Sequence, residues 1–109
     1  MIEIMSFGYK HGEPEGYKVI DCRSIKNPYT VEKFKGKTWE DAELQDYVIG
    51  DPLSGQKLWA AKDLIDVGIT KIAFGCVGGQ HRSVILAELL ASNLHDLPWE
   101  ITHRDLREQ

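Results

Sequence analysis

Short apolar runs alternate along the chain with longer segments whose apolar residues recur at helical spacing. Four segments have the length and apolar character of strands, and they are residues 1–7, 17–22, 70–74 and 97–101. Three segments have helical periodicity, and they are residues 39–49, 53–67 and 84–91. Alternating strands and helices are typical of an α/β domain. We therefore expect one three-layer domain over residues 1–109, with a mostly parallel sheet flanked by helices.

Residues with cap and turn preferences mark the expected helix boundaries. Thr38 is suited to cap the first helix, and Ser83 to cap the third. Asp51-Pro52 separates the first helix from the second, and Gly68 ends the second helix. Residues 31–38 are basic and irregular, and we assign them little structure.

The most informative stretch is residues 75–83, Gly-Cys-Val-Gly-Gly-Gln-His-Arg-Ser, which joins the third strand to the third helix. A tight turn here would bring backbone N–H groups to the positive end of the helix dipole. Gly78-Gly79 permits positive φ and close approach to a ligand, and Arg82 adds a permanent positive charge. The stretch predicts an anion site, most naturally for phosphate. It is not a Walker loop, because the lysine and the glycine spacing of that motif are absent.

Parallel α/β sheets bind ligands beyond the carboxyl ends of their strands. That rule collects polar side chains from several segments into one expected lining: Asp21, Arg23, His81, Arg82, His103 and Arg104.

Bulk properties exclude some functions. The formal net charge of −4 argues against a general nucleic-acid binder, which needs a lysine and arginine excess. No apolar run approaches the ~20 residues that span a bilayer, and no signal peptide is recognisable, so we expect a cytoplasmic protein without a membrane partner. His11, His95 and His103 lack the spacing of a metal site, so no metal or other cofactor is expected.

Cys76 supports a second hypothesis. Cys76, five intervening residues, Arg82 and Ser83 match the spacing of cysteine-dependent phosphatases, in which a thiolate attacks phosphorus. That reaction also needs an acid for the leaving group, and the candidates are Asp21, Asp96 and Asp105. The alternative is that Cys76 is a small buried residue at the end of a strand. Geometry allows a disulfide with Cys22, although two reduced thiols are the expectation for an intracellular chain.

Four segments together resemble the C-terminal domain of the RapZ family, in order and in spacing. They are residues 72–84, residues 6–12 with Pro14, residues 20–23 followed by Asn27-Pro28, and residues 103–106. The resemblance covers nearly the whole chain.

The resemblance implies a phosphofructokinase-like phosphate-binding strand–loop–helix in a regulatory adapter. Proteins of this family direct an endoribonuclease to small RNAs, and their C-terminal domain senses glucosamine-6-phosphate, binds RNA and self-associates. Carried over by position, the sugar-phosphate pocket comprises Asp21, Arg23, Gly78, Gly79, His81 and Arg82.

The chain departs from the family pattern at several points. The family's nucleotide-binding domain with its Walker loop has no counterpart here, and neither has the basic tail associated with RNA binding. Val77 replaces a threonine, and Tyr29 replaces a histidine. A free-standing domain of this kind would suit a bacteriophage or an accessory bacterial gene.

We therefore expect a sensor or adapter domain for a phosphorylated small molecule or inorganic phosphate or sulfate, forming homo-oligomers. The phosphatase, with Cys76 and Arg82 as catalytic residues, is the alternative, and an RNA-binding or protein-binding adapter is a further one. The expected ligand-binding residues are Asp21, Arg23, Tyr29, Cys76, Val77, Gly78, Gly79, Gln80, His81, Arg82, Ser83, His103 and Arg104.

Overall fold

The computed structural model describes residues 1–107, which form a four-stranded, all-parallel sheet in the order β2-β3-β1-β4. The strands are β1 (Ile2–Gly8), β2 (Lys18–Asp21), β3 (Lys71–Cys76) and β4 (Trp99–His103). Three helices flank the sheet, and they are α1 (Ala42–Ile49), α2 (Pro52–Asp66) and α3 (Arg82–Ser92). The architecture confirms the expected α/β class and the parallel sheet.

The hydrophobic core lies between one face of the sheet and the helices. Ile4 of β1 and Phe74 of β3 point into this core, where they meet Ile85 and Leu86 of α3. Helix α3 is buried along most of its length, as expected for a helix whose residues are apolar nearly all round. On the other face, the connection after β1 covers part of the sheet with Tyr9, which lies against Phe7.

The strand register brings the carboxyl ends of all four strands to one edge of the sheet. Gly8 of β1 pairs with Cys76, and Ser6 pairs with His103 of β4. On the far side of β3, Asp21 pairs with Gly75. The loops that follow the strands are therefore neighbours, which is the arrangement expected from the binding rule for parallel sheets.

The starts of α1 and of the last strand differ from the prediction for physical reasons. Asp41, not Thr38, caps α1, because its carboxylate accepts the Leu44 N–H at 3.0 Å. The last strand begins at Trp99, two residues later than predicted, because Pro98 has no N–H for a strand ladder and uses its carbonyl to accept from Ile2.

Both boundaries of α2 lie within one residue of the prediction. Asp51 accepts the Leu53 N–H at 3.0 Å, and Pro52 occupies the first turn. Gly68 follows the helix with a φ of +97°. The segment expected to have little structure holds a 3-10 turn at Glu32–Phe34, which buries Phe34. Between residues 1 and 107 no helix is long and apolar enough to cross a bilayer.

Candidate functional site

The loop after β3 rests directly on the end of β1. A Cβ atom on Gly8 would lie 2.5 Å from the carbonyl carbon of Gly78, so the two backbones meet where no side chain fits. Gly79 has a φ of +75°, the left-handed conformation that glycine adopts at least cost. These two requirements explain why the sequence places glycines at these positions.

The backbone of this loop carries unused hydrogen-bond donors. Within the described chain, the N–H groups of residues 78–82 donate to no protein acceptor. They precede α3, whose dipole makes its N-terminal end electropositive. Buried or partly buried N–H groups normally find a partner. These N–H groups are therefore available to an acceptor from outside the chain, such as an anion.

A cavity of about 230 Å³ opens beside the loop, and we call it the anion cavity. Its lining residues come from the ends of β1, β2, β3 and β4: Lys10, Asn27, Tyr29, Cys76, Val77, Gly78, Gln80, His81, Arg82 and Arg107. Three of them are permanent cations at neutral pH, and in the part of the chain that is described no carboxylate joins the lining. In a chain of net charge −4, these three side chains form a local concentration of positive charge.

Arg82 is fixed before any ligand binds. Its Nη1 donates to the carbonyl oxygens of Arg23 and Ile25, both at 2.9 Å, and the side chain is 5% exposed. These bonds hold the guanidinium at the wall of the anion cavity and also tie the loop after β2 to α3. Arg82 therefore supplies charge from an anchored position, not from a freely moving side chain.

Ser83 does not cap α3, contrary to the prediction. The helix begins at Arg82, two residues earlier than predicted, and His81 takes the cap position without a side-chain hydrogen bond. Ser83 is fully buried inside the first turn, where its Oγ accepts from the Cys76 Sγ at 3.1 Å and its N–H points at the same sulfur. The serine thus anchors the end of β3 to the helix.

Both cysteines are free, buried thiols. Cys76 is 3% exposed although it contributes to the cavity wall. Cys22 directly follows β2, and its N–H donates to the carbonyl of Gly75, the residue before Cys76, at 2.7 Å. Burial raises the pKa of the Cys22 thiol, which therefore stays protonated.

His81 stands at the boundary between the anion cavity and a second one. Its Nε2 lies 3.0 Å from the Lys37 carbonyl, so this nitrogen carries the proton in the neutral ring and donates it. Burial lowers the pKa of His81 below its usual value, and the charges of Arg82 and Arg107 lower it further. The exposed ring of Tyr29 meets the imidazole edge-on, with centroids 5.1 Å apart.

The second cavity has a volume of about 190 Å³, and we call it the side cavity. It shares four residues with the anion cavity: Tyr29, Gln80, His81 and Arg107. The rest of its wall mixes polar and aromatic groups, including Lys37, Thr38 and Trp39. The two cavities are therefore neighbours at the carboxyl edge of the sheet.

Asp21 and Arg23 lie near this edge but outside both cavity linings. They bind each other, with Arg23 Nη2 at 2.8 Å from Asp21 Oδ2. Hydrogen bonds from the Arg23 side chain lower the pKa of Asp21. The guanidinium also stacks on Tyr9, with its Cζ 3.8 Å from the ring centroid. This pair is connected to the anion cavity only through the backbone carbonyl of Arg23, which accepts a hydrogen bond from Arg82.

His103 and Arg104 are not brought to the cavities either. His103 Nδ1 lies 2.6 Å from Ser6 Oγ, and its Nε2 lies 2.7 Å from Glu88 Oε2, so the ring joins β4 to β1 and α3. Arg104 pairs with Asp105 and donates to the Gly12 carbonyl. Both side chains hold the end of β4 in place.

Three cavity residues were missed individually, namely Lys10, Asn27 and Arg107. Lys10 and Asn27 lie in segments that the strand-end rule had placed nearby, and Lys10 is an exposed cation in a loop just after a strand. Arg107 reaches the cavity because residues 104–107 turn back across the loop, which no sequence signal indicates.

Comparison with known proteins identifies the family of the chain. The family model of the RapZ C-terminal domain matches residues 1–107. A nucleotide-binding protein of Cereibacter sphaeroides is 36% identical over 99% of this chain and 40% of its own length. Nucleotide-binding proteins of Mycolicibacterium vanbaalenii and Lysinibacillus sphaericus are 38% and 40% identical over 96% and 99% of the chain, which covers 37% and 40% of theirs. The chain thus spans well under half the length of these relatives.

Proposed function

Because the chain belongs to the RapZ C-terminal domain family, we propose that it is a regulatory binding domain for a phosphorylated small molecule. The phosphate would sit in the anion cavity, against the unbonded N–H groups of residues 78–82 and beside Lys10 and Arg82. The observation that carries this proposal is the coincidence of free amide donors and cations in one cavity without a carboxylate among its described lining residues.

The remainder of the ligand would occupy the side cavity. Pockets for drug-sized ligands measure roughly 300–1,000 Å³, and each cavity here is smaller, so a small metabolite suits the pair. The polar and aromatic wall of the side cavity supports a sugar, and glucosamine-6-phosphate or a related sugar phosphate is the leading candidate. The relatives are named nucleotide-binding proteins, which makes a mononucleotide the second ligand to test.

Calorimetry with a matched ligand panel tests the proposal. The panel contains glucosamine-6-phosphate, another sugar phosphate, a mononucleotide, inorganic phosphate and unphosphorylated glucosamine. We expect the phosphorylated sugar to bind, inorganic phosphate to bind more weakly, and glucosamine not to bind. Absence of binding by every phosphorylated ligand would refute the proposal.

Lys10→Met is the sharpest variant for this test, since the Lys10 side chain is exposed and lines the anion cavity. We expect about 3- to 10-fold weaker phosphate binding, equivalent to about 0.7–1.4 kcal/mol. Lys62→Met is the matched control, because it removes the same charge from α2, in a different groove. Arg82→Ala should abolish binding, but it also removes the donor for two carbonyls, so its folding must be verified by circular dichroism.

One observation favours the second candidate, a cysteine-dependent phosphatase. Cys76 lies in the cavity wall with Ser83 Oγ 3.1 Å from its sulfur, as a serine assisting a thiolate would be. Against it, Asp21 and Asp105 are paired elsewhere, so neither is placed to protonate a leaving group. Binding without turnover is therefore the first proposal.

A further inference from the structure

We infer that Gln80 is a positioning residue that holds residues 105–107 across the anion loop and so presents Arg107 to the bound phosphate. This inference rests on the proposed function, since it assigns part of the affinity for the phosphate to the positive charge of Arg107, which Gln80 holds in position. Gln80 need not touch the phosphate for this role.

The Gln80 side chain makes three hydrogen bonds, all to backbone. Its Nε2 donates to the Asp105 carbonyl at 2.7 Å, and its Oε1 accepts the Arg107 N–H at 3.1 Å. One carbonyl and the N–H two residues later are the pair that a neighbouring strand would engage. The side-chain amide of Gln80 thus makes the two hydrogen bonds to residues 105–107 that the backbone of an adjacent strand would make.

The third bond ties the same side chain to the anion loop. Gln80 Nε2 also donates to the Gly78 carbonyl at 3.0 Å. This bond fixes the carbonyl of Gly78 on the side of the amide, while the loop N–H groups remain available for an anion. The conformation of the loop and the path of the segment are therefore set by one group.

A second contact holds the segment from the other side. Asp105 Oδ2 accepts the Gly8 N–H at 2.8 Å, and the Asp105 Cβ lies next to Gly79. Between these two attachments, Leu106 contributes to the side cavity, and Arg107 contributes to both cavities. The segment therefore forms a wall of the site, and its position decides where the Arg107 charge lies.

A double-mutant cycle separates positioning from direct contact. Gln80→Met keeps the side-chain volume and removes all three hydrogen bonds, and Arg107→Ala removes the cation. With inorganic phosphate as the probe, we expect each single variant to bind about 3- to 10-fold more weakly than the parent. The double variant should bind no more weakly than Arg107→Ala, since Gln80 acts through Arg107. Gln56→Met, an exposed glutamine on α2, should bind like the parent.

Three outcomes of the cycle would overturn the inference. Additive losses in the double variant would mean that Gln80 contacts the phosphate directly. Parent-like binding by Gln80→Met, or by Arg107→Ala, would remove the premise. Circular dichroism of each variant confirms that all four proteins of the cycle are folded.

Hydrogen exchange of the ligand-free protein gives a test that does not depend on binding. The Arg107 amide donates to Gln80, so Gln80→Met should accelerate its exchange while amides of β1 keep their rates. Unchanged exchange at Arg107 would contradict the role of Gln80. If the parent bound no phosphate but this acceleration occurred, the proposed function would fail while the structural role of Gln80 stood.

Discussion

The backbones of Gly8 and Gly79 are in contact, so closely that a Cβ atom on Gly79 would lie 2.8 Å from the Gly8 nitrogen. One glycine ends β1 and the other belongs to the loop after β3. Their contact places the loop directly against the carboxyl end of β1, and the N–H groups of residues 78–82 donate to no acceptor in the described chain. The anion cavity opens beside this glycine contact between the ends of two adjacent strands, β1 and β3.

Gly79→Ala should therefore lower the free energy of unfolding by more than the cost of placing alanine at a positive φ. A non-glycine residue in the left-handed region costs about 1–2 kcal/mol, and steric overlap with fixed backbone atoms adds about 1–3 kcal/mol. Gly36→Ala is the matched control, because Gly36 has a φ of +77° but no atom within 4 Å of an added Cβ. Urea unfolding of both variants measures the difference, and equal losses of unfolding free energy would show that the contact costs nothing.

Gly78→Ala should instead weaken phosphate binding while leaving the stability of the protein nearly unchanged. Gly78 has no positive φ, and an added methyl group would approach only Gln80 and Lys10, at 3.9 and 4.0 Å. We expect an unfolding free energy within about 0.5 kcal/mol of the parent, as for surface changes. Phosphate binding should weaken several-fold, because both neighbours line the anion cavity. Parent-like affinity measured by calorimetry would place the phosphate elsewhere.

The affinity for sulfate should increase as the pH falls from 8 to 5.5. Burial holds the pKa of His81 below its usual value in the free protein, so its ring is neutral at pH 8. A bound anion favours the imidazolium form and raises this pKa, and proton uptake therefore accompanies binding. Sulfate is the right probe, since its own charge does not change in this range.

His81→Gln supplies the control for this pH effect. Its sulfate affinity should be nearly constant from pH 8 to pH 5.5, while the parent gains several-fold, a pKa shift of one unit corresponding to tenfold. A parent whose affinity does not depend on pH, or a variant with the same slope as the parent, would show that His81 does not face the anion.

Cys76→Ser distinguishes binding from catalysis. The serine hydroxyl can keep a hydrogen bond to Ser83, so we expect phosphate affinity within about threefold of the parent. We also expect no turnover of an aryl phosphate by the parent protein. Vanadate-sensitive turnover that disappears in Cys76→Ser would instead establish the phosphatase.

The sequence predicted the elements that rest on local signals. The Asp51-Pro52 break and Gly68 define α2, and the apolar run before Gly75 defines β3, because caps, breakers and periodicity act over a few residues. The glycine loop was recognisable for the same reason. Ser83 was misjudged as a cap, since its burial against Cys76 is a tertiary contact that the serine's cap preference does not reveal.

The predictions that go beyond this loop depended on side-chain partners that the sequence does not indicate. His103 pairs with Ser6, 97 residues away, and Asp21 uses its carboxylate on Arg23 instead of facing the cavity. The sequence does not indicate whether a polar residue at a strand end will face the cavity or pair with another side chain. Arg107 shows the converse, because Gln80 directs its backbone across the loop.

A titration followed by amide NMR tests the central claim most directly. Inorganic phosphate, and sulfate in parallel, is added to the isotope-labelled protein at constant ionic strength, with chloride as the control. We predict saturable shifts concentrated at the amides of residues 78–82, which chloride does not reproduce. Saturable shifts located elsewhere, or none at these five amides, would contradict the assignment of this loop as an anion site.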